Sequence, residues 1–335
     1  MATLIGSFPH KEADEALDLI FKYTPQIPSW PQLPKRDFRE GMVAQFAEGL
    51  PCIRLGKDGI YLDESDKDRE LERFYEDIIT QDPSDFKINE DFAQGLWRFS
   101  ERLERCDLSE VKFIKCQVTG PFTFAASIND SQGRPLLHDA VFMQVILKGL
   151  SMKALWQIEF FKRFGKKIIL FLDEPYLGAF GSAYTALNRE AVVRDLREII
   201  SVIKSQDVLV GIHCCGNTDW SIFTEVEAID IISFDAFGFL ERLILYAQEI
   251  KEFLERGGLL CWGIVPTQGF SSKITKDLLL KKLKDGIIAF KDKGVEEGLV
   301  RERMLLSPAC GLGSLEIAST IPILTLLRDL AQDLK

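Results

Sequence analysis

Six short apolar runs, each rich in branched residues and each ending in turn formers, constrain this chain more than any other feature. They are VKFIKCQVTGP at 111–121, KKIILFLDEP at 166–175, DVLVGIHCCGN at 207–217, AIDIISFDAFG at 228–238, GGLLCWGIVP at 257–266 and RMLLSPACGLG at 303–313. Runs of this kind, apolar throughout, are how parallel strands read when both faces are covered. Helical patterns lie between them, such as NREAVVRDLREIISVIKSQ at 188–206 and KITKDLLLKKLKDGIIAFKDKG at 273–294. Strand–helix alternation predicts an α/β fold. Two further runs, ATLIGSFP at 2–9 and the Pro-rich QIPSWPQLP at 26–34, bring the count to eight, although proline is usually confined to strand edges and bulges. Eight strands alternating with helices predict a closed (β/α)8 TIM barrel. The alternative, an open doubly wound sheet, lacks its Gly-rich fingerprint in the first βα turn. The charged, helix-rich stretch from about 35 to 110 then reads as a helical elaboration between strands two and three. No repeat or linker divides the 335 residues, so 1–335 reads as one domain.

The charge balance excludes several partner classes. With 41 Lys and Arg against 51 Asp and Glu, the net charge is -10, and no basic tract stands out. Nucleic acid is therefore not the expected partner, and an anionic membrane is a poor match. No apolar run reaches the roughly 20 residues of a membrane-spanning helix. The stretch MATLIGSFPHKEADEALDLIF has no basic region followed by a long apolar one, which argues against a signal peptide and for a cytoplasmic protein. Seven cysteines, an odd number, argue against a disulfide framework in such a compartment.

In a barrel the side chains that do chemistry sit at the carboxyl ends of strands. Ser7, Thr119, Asp173, Glu174, His213, Cys215, Asp235 and Cys310 occupy such positions. Residues two apart on a strand point the same way, so His213 and Cys215 share a face and Cys214 points away. Cys310, ending the last run, can supply a second thiolate across the sheet. A His/Cys/Cys set suits zinc, and three protein ligands leave a fourth position open, as a catalytic zinc requires. A lone cysteine is more often a small buried hydrophobe, the reading given to Cys52, Cys106, Cys116 and Cys261. Asp235 is either a fourth, oxygen ligand or a helix N-cap. Asp173 and Glu174 are either an ammonium clamp or a loop anchor, and alternation lets only one face inward.

Six pieces carry a resemblance: IGSFP (5–9), TGP (119–121), DEP (173–175), HCC (213–215), IISFD (231–235) and PACGLG (308–313). In this order, over nearly the whole chain, they resemble the C-terminal catalytic barrel of cobalamin-independent methionine synthase, in the superfamily that includes uroporphyrinogen decarboxylase. The resemblance implies that His213, Cys215 and Cys310 are zinc ligands, and Asp235 falls where the family carries a Glu near the metal. It places Ile5, Gly6 and Ser7 on the segment that holds the amino-acid end of homocysteine. Asp173, with Glu174 beside it, falls on the acid that meets the ammonium group. The implied activity is zinc-dependent S-methylation of homocysteine, or a similar small thiol, to give methionine. The full enzyme has a second barrel that takes part in folate use, whereas the motifs here account for one. A methylated corrinoid protein or methylcobalamin is therefore the expected donor. The family's MVEYF-like segment reads MVAQF at 42–46, so a substrate-contacting Glu is replaced by Ala44, with Gln45 and Glu48 nearby. This departure touches the acceptor more than the metal.

The chemistry is consistent on physical grounds. A free thiol is mostly protonated at neutral pH, and the thiolate is the nucleophile. Zinc binding deprotonates a coordinated thiol without redox chemistry of its own. The competing readings are a corrinoid-dependent methyltransferase acting on another thiol such as coenzyme M, a uroporphyrinogen decarboxylase-like lyase, and a non-catalytic methyl-carrier docking or thiol-sensing protein. The lyase needs arginines for carboxylates and leaves HCC and Cys310 unexplained.

Overall fold

The structure, a computed structural model, describes residues 1–57, 59–182 and 187–334. Strands β1 (Ile53–Gly56) and β2 (Gly59–Leu62) pair as a small antiparallel sheet. The larger sheet is parallel and contains β3 (Phe113–Thr119), β4 (Lys167–Asp173), β5 (Val208–Cys214), β6 (Ile231–Phe234), β7 (Leu259–Val265) and β8 (Met304–Pro308), in chain order. Each falls inside one of the six apolar runs. Helices Arg189–Ile203 and Lys276–Asp292 lie where their patterns predict. Their starts are set by side-chain caps: Asn188 accepts from the Ala191 amide, and Thr275 from that of Leu278. Asp139 does the same for the long helix Ala140–Lys162, accepting from Val141 and Phe142.

The closed eight-stranded (β/α)8 TIM barrel is corrected by this topology. The parallel sheet has six strands and forms a half-barrel. The runs at 2–9 and 26–34 make no strand. They make isolated parallel bridges only: Ala2 with Leu306, Ser7 with Gln32, and Ser29 with Lys115. The reason is chemical. Pro28, Pro31 and Pro34 have no N–H to give to a ladder. In the other run Gly6 sits at φ +150°, a conformation closed to other residues, which breaks the extended course. The expected elaboration at 35–110 does contain helices, notably Lys67–Thr80 and Gln94–Arg105. It also holds the unforeseen β1–β2 hairpin, and it precedes the first strand of the parallel sheet rather than joining strands two and three of a barrel.

The main apolar core draws on residues from Ala2 to Leu330, and packs the helices on the outer face of the sheet. A second cluster fills the concave face: Ile27, Ile169, Phe171, Ile231, Cys261 and Leu305. Gly211 makes room for it, because a Cβ there would lie 2.3 Å from the Phe171 ring. This plug supports the carboxyl edge of the sheet, where ligands bind in α/β proteins. No helix among the described residues is long and apolar enough to cross a membrane.

Candidate metal centre

Sheet register brings the polar residues to one level. Thr119 pairs with Asp173, Asp173 with His213, and His213 with Ser233. Four adjacent strands thus present one row at the carboxyl edge. Cys215 follows the end of β5, and Cys310 lies two residues past β8. The imidazole nitrogen and the two sulfurs lie within 4.8 Å of one another. Residues from β5 and from just past β8 therefore come together, and no other such group of His, Cys, Asp or Glu occurs among the described residues.

His213 Nδ1 lies 2.9 Å from Ser233 Oγ. With Ser233 accepting from Nδ1–H, Nε2 presents its lone pair, and that buried atom has no partner. An outer hydrogen bond of this kind fixes the tautomer and aim of a ligating histidine. The thiols are coupled. Their mutual contact lowers the Cys310 pKa and raises that of Cys215. By contrast Cys214 is fully buried, its thiol pushed up to about 12 by burial, and its Sγ faces Gly216 O at 3.7 Å. Cys52, Cys116 and Cys261 are likewise buried, and Cys106 is half-buried away from the cluster. These facts give an expected result: Ser233→Ala leaves the fold intact and weakens zinc binding roughly 10- to 100-fold, read by competition with a chromogenic chelator.

Beside the cluster lies a cavity of about 260 Å3, walled by Ile5, Ser7, Asp173, His213, Cys215 and Cys310, together with Gln32, Glu40 and Met42. Asp173 faces it. Its carboxyl is buried, Oδ1 has no hydrogen-bond partner, and burial raises its pKa to about 6 against the pull of Lys115 and His213. Glu174 does not line the cavity. Its carboxyl accepts from the amides of Phe122 (2.9 Å) and Thr123 (2.8 Å) and from the Thr123 hydroxyl (2.7 Å). It anchors the first turn of helix Pro121–Ala126, and is corrected from clamp to anchor. Gly120 leaves space for it, since a Cβ there would stand 2.2 Å from Glu174 Cδ. The TGP and DEP motifs thus fit against each other. Asp235 is the N-cap of helix Ala236–Leu243, accepting from Gly238 N at 2.8 Å, and it is outside the ligand cluster. Burial raises its pKa.

The Ile5–Gly6–Ser7 segment is pinned from three sides. Lys115, fully buried, donates to Ile5 O at 2.6 Å, the Gln32 amide to Gly6 O at 3.1 Å, and the Leu312 amide to Ser7 O at 2.8 Å. Ser7 Oγ accepts from Gly313 N at 3.2 Å. Ile5 and Ser7 reach the cavity wall and Gly6 lies behind it, where any Cβ would press on Gln117 and Gln32. Burial lowers the Lys115 pKa to about 8.

Three residues here escape a reading of the sequence. Ser233 was within reach, because the alternation that pairs His213 with Cys215 also puts 231, 233 and 235 on one face. Lys115 and Glu40 were not, as a lysine in a strand and a glutamate in the charged run KRDFRE look like ordinary solvated residues. No known protein family model and no curated protein matches this chain.

Proposed function

We propose that this protein is a zinc-dependent thiol S-methyltransferase, with homocysteine or a similar small aminothiol as acceptor. The observation that carries the reading is the convergence of His213 Nε2, Cys215 Sγ and Cys310 Sγ within 4.8 Å at the wall of a small cavity. The donor set fits zinc. One nitrogen and two sulfurs are the ligand types it prefers, the buried Nε2 lacks any other partner, and three protein ligands leave room for a substrate. When bound, zinc supplies Lewis acidity that holds a coordinated thiol as its thiolate.

The remaining chemistry belongs to the chain itself. Ser233 aims His213. Asp173 offers an unpaired carboxylate oxygen to the acceptor's ammonium group. The pinned Ile5–Ser7 segment shapes the wall against which the amino-acid end rests. The Phe171 plug below keeps water from the back of the cavity. The order of the six motifs supports the same reading through its resemblance to methionine synthase. No Lys or Arg lines the cavity among the described residues, which counts against a sulfonate acceptor such as coenzyme M and against a lyase that holds carboxylates with arginines.

The test is methyl transfer to homocysteine by the zinc-loaded protein, comparing methylcobalamin, a methylated corrinoid protein and methylfolate. Methionine formed with a corrinoid donor is the expected result. No methionine from any donor, in protein shown to hold zinc, contradicts it.

A further inference from the structure

Two glycines bring separate loops into backbone contact beside the candidate metal ligands. Gly178 lies in the turn Pro175–Ala179 that follows β4, and Gly216 follows Cys215 just past β5. A Cβ added at Gly178 would stand 2.9 Å from Gly216 Cα, and one added at Gly216 would stand 2.8 Å from Gly178 Cα. Neither glycine has a positive φ, so the requirement here is for space. Both backbones are backed by buried groups. On the β4 side Leu177 is fully buried, the Tyr176 amide donates to Thr123 Oγ1 at 3.1 Å, and the Glu174 amide donates to His213 O at 2.8 Å. On the β5 side the fully buried Cys214 directs its Sγ to Gly216 O, and Thr218 and Trp220 are buried just beyond. Cys215 therefore stands between a residue anchored in the core and a glycine that rests on Gly178. Backbone packed this closely passes a displacement on to its neighbour. Pro175, at the start of the same turn, lines the cavity with Cys215.

We propose that the Gly178–Gly216 contact sets the reach of Cys215 Sγ, so that both glycines are positioning residues of the metal centre and the turn after β4 is coupled to metal occupancy. A methyl group at either position meets backbone, which has no rotamer to escape into, so the chain at Cys215–Gly216 must move. A metal site tolerates ligand distances only within about 0.2 Å of ideal. His213 keeps its place through the β5 ladder and Ser233, and Cys310 belongs to another strand end, so the sulfur of Cys215 is the donor displaced.

This inference rests on the metal-site half of the proposed function, and the experiment separates the two. Cobalt(II), whose sulfur-to-metal charge-transfer absorption reports the number of thiolate ligands, is added to metal-free wild type, Gly178→Ala and Gly216→Ala. Zinc affinity is read by competition with a chromogenic chelator. Both variants are expected to lose about half of the absorption per bound cobalt, as one of two thiolates leaves. They are also expected to bind zinc about 10- to 100-fold more weakly, the scale for residues that orient a ligand. A merely structural role would lower the denaturation midpoint of the metal-free protein and leave the absorption per bound cobalt unchanged, and that result overturns the proposal. Should neither variant fold, hydrogen exchange in the wild type decides. Zinc is expected to slow exchange at the Leu177 and Phe180 amides, which bond within the turn and belong to no ligand, and equal exchange with and without zinc overturns the proposal. A wild type that binds neither metal overturns the functional reading and this proposal together, whereas metal binding that both variants leave untouched overturns this proposal alone.

Discussion

Cys310→Ala is expected to empty the metal site, taking zinc from about one per chain to below a tenth under the same metal-replete expression, and methyl transfer with it. The sulfur removed is one of three donors, and its loss leaves a two-ligand site in a semi-open cavity. Structural and catalytic zinc sites both need at least three protein ligands to hold the ion against water. Cys215→Ser is expected to behave the same way. Cys214→Ser is the control, because that side chain points into the core and away from the cluster. It should keep both zinc and activity, at a modest cost in stability. Elemental analysis of the three purified variants reads the outcome. Zinc retained by Cys310→Ala, or lost from Cys214→Ser, contradicts the assignment of ligands.

Glu174→Ala is expected to be the most damaging substitution for the fold, costing about 4 kcal/mol. It strands two buried amides and a hydroxyl that now share one carboxylate, and each unsatisfied buried group costs about 1–3 kcal/mol. Chemical denaturation measures it. The neighbouring Asp173→Asn should cost the fold less. Asp173 Oδ1 has no hydrogen-bond partner to lose, and the change removes only the attraction between its charge and that of the buried Lys115. Stability is expected to fall less than in Glu174→Ala, while binding of an aminothiol falls roughly 10- to 100-fold with the loss of a charged hydrogen bond. Similar stability losses in both variants would show that the two acids have not divided their roles.

The neighbouring acids show what is legible in a sequence. Period-two alternation says that one of them faces inward, but not which, because the chain leaves the strand at that point. The choice is made by distant residues: Gly120 leaves a space and helix Pro121–Ala126 offers its amides, so Glu174 turns there and Asp173 takes the cavity. His213 and Cys215 were legible for the opposite reason. His213 lies within β5 and Cys215 one residue past it, where alternation still holds, and Cys310 lies two residues past β8. The six strands were legible because apolar runs bounded by turn formers have few other uses. The supposed first two strands were not, because bridging to a sheet edge depends on spare N–H groups, and three prolines in nine residues remove them. Glu40 carries no local sign of burial, although its ion-pair partner Arg36 stands only four residues earlier.

An imidazole and two thiolates from two distant parts of the chain are expected to hold one metal ion. X-ray absorption at the zinc edge of metal-replete wild-type protein tests it most directly. Two sulfurs at about 2.3 Å and one nitrogen at about 2.0 Å from the zinc are expected. Protein that retains no zinc, or whose zinc is surrounded by nitrogen and oxygen alone, would contradict it.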